Sequence, residues 1–106
     1  MAVDVETVRA TALAFPGASE RDHHGFPSFR LGNAVFATLP PTGALNVMLD
    51  EGAARRAVHD EPDACTELHW GKRLVGVGVR LDAANEELVE QLLSQAFERV
   101  RAKRRR

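Results

Sequence analysis

The two ends of the chain carry a helical pattern of apolar residues. Over residues 4–14, apolar positions recur at three- and four-residue spacing, which predicts an amphipathic helix with Asp4 as its N-cap. Pro16 and Gly17 are expected to end this helix. Beyond Asn85, a second N-cap candidate, apolar residues again recur at helical spacing. A helix is therefore predicted near each end of the sequence.

The segment between these helices alternates apolar and polar residues, which is the pattern of half-buried β-strands. Gly32 and Asn33 form a two-residue turn signal, so the strands on either side of them are expected to pair as a hairpin. The predicted strands are residues 19–24 as an edge strand, 28–31, 34–39, 45–49 and 73–81.

Two shorter helical segments are predicted between the strands. One begins at Asp50 and runs to about Val58; the other begins at Pro62, since proline suits the first helical position, and runs to Leu68. The resulting order indicates an α+β fold, an antiparallel sheet with the N- and C-terminal helices packed on one face. The length of 106 residues suits a single domain, residues 1–106.

The composition narrows the setting of the protein. With 44% hydrophobic and 27% charged residues, it is that of an ordinary globular domain. No apolar run approaches the ~20 residues of a membrane span, so no membrane partner is expected. The N-terminus lacks the basic and apolar segments of a secretory signal, and Cys65 is the only cysteine, which excludes an internal disulfide. These features favour a cytoplasmic location.

The net charge of −1 conceals a strong asymmetry along the chain. Residues 1–98 contain all 15 acidic residues and 8 of the 14 basic residues, a balance of −7. Residues 99–106 contain the remaining 6 basic residues and no acidic residue. A basic tail of this kind indicates an interaction arm, or else a charged helix end that keeps a short chain in solution.

Two stretches of the sequence are distinctive. In the first, a predicted helix ending in Phe15-Pro16-Gly17-Ala18 is followed by Phe26-Pro27-Ser28-Phe29-Arg30; the second is His69-Trp70-Gly71-Lys72-Arg73, before a valine-rich strand. In this order and spacing they resemble the MmcQ/YjbR family of small bacterial proteins, over about residues 4–100. The resemblance implies a fold similar to that of the frataxin homologue CyaY, and it brings the DNA-binding label that family members often carry.

The chain departs from the pattern of this family in two places. Many relatives have a Ser-Tyr pair where this chain has Ala96-Phe97, and many have an asparagine where Gly71 lies. A role that relatives give to those side chains is therefore not carried over to this chain.

The segment around Trp70 is the main candidate site. A tryptophan at the surface could stack on a base or a ligand ring, while neighbouring cations would bind phosphate. Alternatively, Trp70 packs beside the sheet and the cations only solvate the start of a strand. The residues predicted to bind nucleic acid or a ligand are His69, Trp70, Lys72, Arg73, Arg30, Arg80, Arg99, Arg101, Lys103, Arg104, Arg105 and Arg106.

The strand at residues 73–81 offers a second candidate surface. Its predicted apolar face consists of Val75, Val77, Val79 and Leu81, and its other face of Gly76, Gly78 and Arg80. The alternating glycines leave a strip without side chains. Such a strip could be the floor of a ligand site, or the place where a helix packs closely against the sheet.

The sequence indicates neither a metal site nor a catalytic group. His23 and His24 are adjacent, so on a strand they would point to opposite faces. Cys65 and His69 are four residues apart and could share a helical face, but one pair of ligands makes a poor metal site. No serine or cysteine lies in a nucleophile motif, and no glycine-rich cofactor motif is present. No catalytic residue, metal or cofactor is therefore predicted.

Together these observations predict a binding module rather than an enzyme. Following the family label, the first function is DNA binding, expected to be weak, salt-sensitive and carried mainly by residues 99–106, because the rest of the chain is acidic. The alternative is a small-molecule or protein-interaction domain that uses the sheet face near Trp70, Gly76 and Gly78. A third function class, an enzyme or resistance accessory, is suggested only by relatives that lie in biosynthetic clusters.

Overall fold

The chain folds into helices packed on an antiparallel sheet. A computed structural model describes residues 2–104, and within that range it contains three helices and six strands. In chain order they are α1 (Val5–Leu13), β1 (Ala18–His23), β2 (Phe26–Leu31), β3 (Ala34–Thr38), β4 (Ala44–Met48), α2 (Glu51–Asp60), β5 (Cys65–Trp70), β6 (Arg73–Arg80) and α3 (Glu86–Arg104).

Each helix begins at a polar side chain that caps its N-terminus. An oxygen of Asp4, Asp50 or Asn85 accepts a hydrogen bond from the backbone N–H three residues further on, at 2.7–2.9 Å. The cap satisfies an N–H group that has no partner inside the helix, which fixes where the helix starts. The predicted starts of all three helices are thereby confirmed.

The six strands form one sheet in the order β1-β2-β3-β4-β6-β5, and every neighbouring pair is antiparallel. The predicted antiparallel sheet is confirmed, and β1 is the edge strand expected at residues 19–24. The turn at Gly32 and Asn33 joins β2 to β3 as predicted. Gly32 has a φ of 63°, in the left-handed region that a tight hairpin turn requires.

The helical turn predicted from Pro62 to Leu68 is wrong. Only residues 62–64 form a turn, and Cys65 begins β5, which pairs with β6 along its whole length. The proline gave a local signal for a helix start, but backbone pairing with β6 outweighs that propensity. Cys65 and His69 therefore do not share a helical face, since four residues of extended strand separate them by about 13 Å.

All three helices cover the same face of the sheet. One hydrophobic core joins residues of the helices, such as Val8 and Leu93, to alternate residues of the strands, such as Phe29, Leu45 and Val77. These five side chains have no exposed surface. None of the helices described in residues 2–104 is long and apolar enough to cross a membrane.

Three phenylalanines anchor α1 and α3 to the sheet. The Phe15 ring stacks on Phe97 at a centroid distance of 4.9 Å, and both rings meet the edge or face of Phe36 at 6.2 and 5.6 Å. Such offset and edge-to-face pairs add to the burial energy of the rings. Phe97 is therefore a core residue in this chain, with only 2% of its surface exposed.

The predicted apolar face of β6 is only partly correct. Val77, Val79 and Leu81 are buried as expected, but Val75 does not belong to the buried core. The pairing of β5 with β6 shifts by one residue between Leu68 and His69, which leaves Val75 without a partner in β5. A bulge of this kind interrupts the strict alternation of faces.

Val77→Asp tests whether the core lies where the buried face of β6 places it. The new carboxylate would lie at a position with no exposed surface, so we expect the free energy of unfolding to fall by about 3 kcal/mol or more. Val5→Asp is the matched control, because Val5 is 45% exposed in the first turn of α1, where an acid is favourable. Urea denaturation of both variants measures the difference; equal midpoints would contradict the assigned core.

Gly76 and Gly78 provide a second matched pair of variants. A Cβ added at Gly76 would overlap the backbone carbonyl oxygen of Val47 in the neighbouring strand, whereas at Gly78 it would lie 3.3 Å from the Thr66 hydroxyl, which can rotate away. Gly76→Ala should therefore destabilise the domain by about 1–3 kcal/mol, and Gly78→Ala by less than about 1 kcal/mol. Thermal or urea unfolding compares them, and equal losses would mean that the strands do not approach as described.

Candidate binding surface on the open sheet face

None of the helices described in residues 2–104 covers the opposite face of the sheet, and we call this face the open face. Because side chains alternate along a strand, its residues are those between the core positions. They are Ser19, Arg21 and His23 of β1; Phe26, Ser28 and Arg30 of β2; Val35 and Thr38 of β3; Ala44, Asn46 and Met48 of β4; Thr66, Leu68 and Trp70 of β5; and Arg73, Gly76, Gly78 and Arg80 of β6.

A cleft runs across this open face. Its volume is about 210 Å³, and its walls are mostly apolar and aromatic. The lining residues are His23, Phe26, Val35, Thr38, Asn46, Met48, Leu68 and Trp70. Side chains from five of the six strands therefore form one concave surface, of the kind that proteins use for small ligands and flat rings.

Trp70 forms the most prominent wall of the cleft. It is the only tryptophan of the chain, and 66% of its surface is exposed. Leu68, two residues before it on the same strand, lies beside it in the cleft. Of the two predicted roles, the exposed ring fits a stacking platform better than a residue that packs beside the sheet, because most of its surface meets water.

The opposite wall is built around the turn between β1 and β2. The His23 ring lies 5.4 Å from Phe26 and 4.6 Å from His24, both in edge-to-face geometry. The prediction that His23 and His24 point to opposite faces is wrong, because β1 ends at His23 and His24 lies in the turn with a φ of 55°. This left-handed residue brings the two rings together at one end of the cleft.

Gly76 and Gly78 lie on the open face, where no helix covers them. The predicted close packing of a helix on these glycines is therefore wrong. Gly76 is required instead by the close approach of the β4 backbone at Val47. Their pairing partners Met48 and Asn46 line the cleft. Because the glycines have no side chains, nothing from β6 covers these two residues at that point.

The charged residues of the strands are sorted between the two faces. The four strand arginines occupy open-face positions: Arg21, Arg30, Arg73 and Arg80. The three strand acids occupy the covered face: Glu20, Asp22 and Glu67. Among the described strands, therefore, the open face carries only positive charges, although the chain as a whole is slightly negative.

Two of these arginines have partners that bear on their role. The Arg30 Nε donates to the Ser28 hydroxyl at 2.9 Å, and this hydroxyl donates to the Arg21 carbonyl at the same distance. Ser28 is fully buried, so the pair holds Arg30 in a fixed direction on the open face. Arg80 lies 3.5 Å from the carboxylate of Asp82, and this exposed ion pair reduces its positive field.

The residues predicted to cluster around Trp70 lie on both faces of the sheet. Arg73 is the direct cross-strand partner of Trp70, and Lys72 lies in the exposed turn that joins the two strands. His69 lies on the opposite face of β5, where its Nε2 is 3.4 Å from the Glu67 carboxylate. The structure therefore brings Trp70 and Arg73 together and separates His69 from them.

The basic tail is part of a helix as far as the structure describes it. Arg99, Arg101, Lys103 and Arg104 belong to the last turns of α3, and Val100 between them is buried in the core. Arg101 forms an ion pair with Glu98 at 2.6 Å, and the Arg104 guanidinium lies against Gly32 in the β2–β3 turn. Arg105 and Arg106 lie outside the described residues.

Within residues 2–104, no group of three or more histidine, cysteine or acidic side chains is arranged to hold a metal ion. The Cys65 thiol lies in the core with 1% of its surface exposed. Burial, together with the smaller effect of the nearby Glu61 charge in the same direction, raises the pKa of this thiol to about 11. A thiol in this state is neither a good nucleophile nor a ready metal ligand.

Most of the cleft residues were not predicted as site residues from the sequence. They are His23, Phe26, Val35, Thr38, Asn46, Met48 and Leu68. They are scattered over five strands, and only the sheet order brings them together. One signal was present, because Asn46 and Met48 alternate with the core residues of their strand and so had to face away from the helices. The order of the strands, which decides their neighbours, could not be obtained from that alternation.

The chain is similar to a known protein family. The family model YjbR matches residues 13–99, which is most of the chain. The protein therefore belongs to the YjbR family, and the predicted resemblance is confirmed to that extent. No curated protein and no solved structure matches the chain.

The state of Cys65 can be tested by its reaction with iodoacetamide. Since only the thiolate reacts, a pKa raised from 9.0 to about 11 lowers the reactive fraction at pH 8 roughly a hundredfold. We expect slow alkylation of the native protein, a rate that still increases above pH 9, and fast alkylation in denaturing urea. A native rate that levels off near pH 9 would mean that the thiol is exposed to water.

Proposed function

We propose that the protein is a nucleic-acid-binding domain and that its open sheet face is the binding surface. The observation that carries this proposal is the sorting of strand charges, with four arginines on the open face and the three strand acids on the other. Phosphate groups are the main source of affinity in such complexes, and they require cations presented together. The same proposal treats residues 1–106 as one domain acting in the cytoplasm.

The acidic balance of the chain does not oppose this proposal. The molecule extends at least 25 Å along each principal axis, and many of its acids lie on the helices behind the sheet. At physiological ionic strength, exposed charges are screened beyond about 8 Å. A phosphate approaching the open face would therefore meet the field of the strand arginines far more than that of the helices.

The end of α3 is a second source of positive charge for the same function. Arg104 lies against the β2–β3 turn, at the end of the strand that carries Arg30. A nucleic acid on the open face could extend to this helix end. We therefore propose that the open face provides the main contacts and that residues 99–106 add salt-sensitive affinity, rather than the reverse.

A second candidate function is the binding of a free small molecule in the cleft. It is favoured by the apolar lining of the 210 Å³ cleft between Trp70 and Phe26. In this case the strand arginines would serve only an acidic group of the ligand. The two candidates can be distinguished by chain length. If the cleft binds a free small molecule, a single nucleotide and a longer oligonucleotide should bind about equally well; if the open face binds nucleic acid, the affinity should rise with the number of phosphates.

The first function is tested by neutralising cations on one face at a time. Arg21→Gln/Arg73→Gln removes two exposed charges from the open face, and Arg55→Gln/Arg56→Gln removes two exposed charges from α2. Fluorescence anisotropy with a labelled oligonucleotide across a salt series gives the affinity and its salt dependence. We expect only the open-face variant to bind more weakly, with a log–log salt slope smaller by about one per arginine.

A third protein, truncated after Val100, separates the tail from the sheet. It keeps the last buried residue of α3, so its fold should persist. We expect it to retain part of the affinity and to remain sensitive to the Arg21→Gln/Arg73→Gln change. If truncation abolishes binding while the open-face variant binds like the unmodified protein, the tail is the binding element. Equal losses for the α2 and open-face variants would show only an unspecific effect of net charge.

A further inference from the structure

The cleft has the shape and chemistry to take a flat, unsaturated ring. Trp70 and Leu68 form one wall, while Phe26 and His23 form the other, with open solvent above the cleft. Exposed aromatic rings on a sheet offer a face on which a nucleobase can stack, and every base has such a face. The walls alone would accept any flat ring, so the floor and the surrounding charges must limit what binds.

The floor supplies polar atoms near the middle of the sheet. Thr38 and Asn46 are direct cross-strand partners, and both line the cleft. Asn46 is in turn paired with Gly78, which has no side chain to cover the amide. An amide offers both a donor and an acceptor, which is what the polar edge of a base requires.

The cations lie where the phosphates of a bound strand would pass. Arg73 is the cross-strand neighbour of Trp70 at one wall, and Arg21 and Arg30 stand on β1 and β2, the strands that carry the other wall. If a base lies between the walls, the phosphates that precede and follow it in the strand would each have an arginine nearby. A small molecule with one acidic group would use the charges at one end of the cleft only.

We infer that the open face binds single-stranded nucleic acid, with one unpaired base stacked on Trp70 in the cleft and the polar edge of that base at Asn46. This inference rests on the function proposed above and specifies its ligand. A duplex cannot make the contact, since its bases are stacked on one another and their faces are closed. Single strands are therefore preferred because of stacking, while the arginines act on single strands and duplexes alike.

The experiment uses the intrinsic fluorescence of the full-length protein, which comes from Trp70 alone. Three probes are titrated at low salt: oligothymidylate, an abasic oligomer with the same number of phosphates, and a DNA duplex of the same length. We expect saturable quenching of Trp70 by oligothymidylate only. Its affinity should exceed that of the abasic oligomer by roughly tenfold or more, the contribution of a stacked base.

Two substitutions at Trp70 and one elsewhere complete the test, read by anisotropy of labelled probes. Trp70→Ala should reduce the affinity for oligothymidylate to that for the abasic oligomer, whereas Trp70→Phe keeps a stacking ring and should retain most of the affinity. Trp70 is largely exposed, so neither change should unfold the protein. Leu13→Ala, at an exposed apolar position on α1, should have no effect.

Each other outcome overturns the inference, and the outcomes separate it from the proposed function. Equal binding of the three probes, insensitive to Trp70→Ala but weakened by Arg21→Gln/Arg73→Gln, would leave nucleic-acid binding by charge and remove the base contact. Binding of thymidine alone as tightly as the oligomer would favour a small-molecule site. Failure of all probes to bind would remove the proposed function together with its ligand.

Discussion

Helices cover only one face of the sheet, and this one-sided burial determines where every strand side chain can lie. Alternate residues enter the core, where Phe29, Leu45 and Val77 have no exposed surface. The residues between them therefore lie on the open face. A one-residue slip of any strand would exchange the two sets and expose the core, so the register is strongly fixed. Core packing thus also fixes which polar and aromatic residues meet on the open face.

The open face is shaped by departures from regular strand geometry. The pairing of β2 with β3 shifts between Phe29 and Arg30, which leaves Phe36 free to join Phe15 and Phe97 in the core. On the other side of the face, Gly76 lets β6 approach β4 more closely than a side chain would allow. Such irregularities bend a sheet locally and increase its twist, which contributes to the concave shape of the open face.

Much of the fold could be predicted from local sequence signals, whereas the residues that form the candidate site could not. The caps at Asp4 and Asn85 and the turn at Gly32 were readable because each depends on a few neighbouring residues. β5 was mistaken for a helical turn because its stability comes from pairing with β6 rather than from its own residues. The basic tail is a continuous run of charge in the sequence, whereas the four arginines of β1, β2 and β6 form a group only once the strands are ordered in the sheet.

The measurement that tests this account most directly is a map of backbone amide NMR shifts during titration with a single-stranded oligonucleotide. If the open face is the binding surface, the largest shifts will fall on Thr38, Asn46, Leu68 and Trp70, including the Trp70 indole N–H, while α2 remains unchanged. Shifts confined to residues 99–104 or to the helices, with the open face unaffected, would contradict the account.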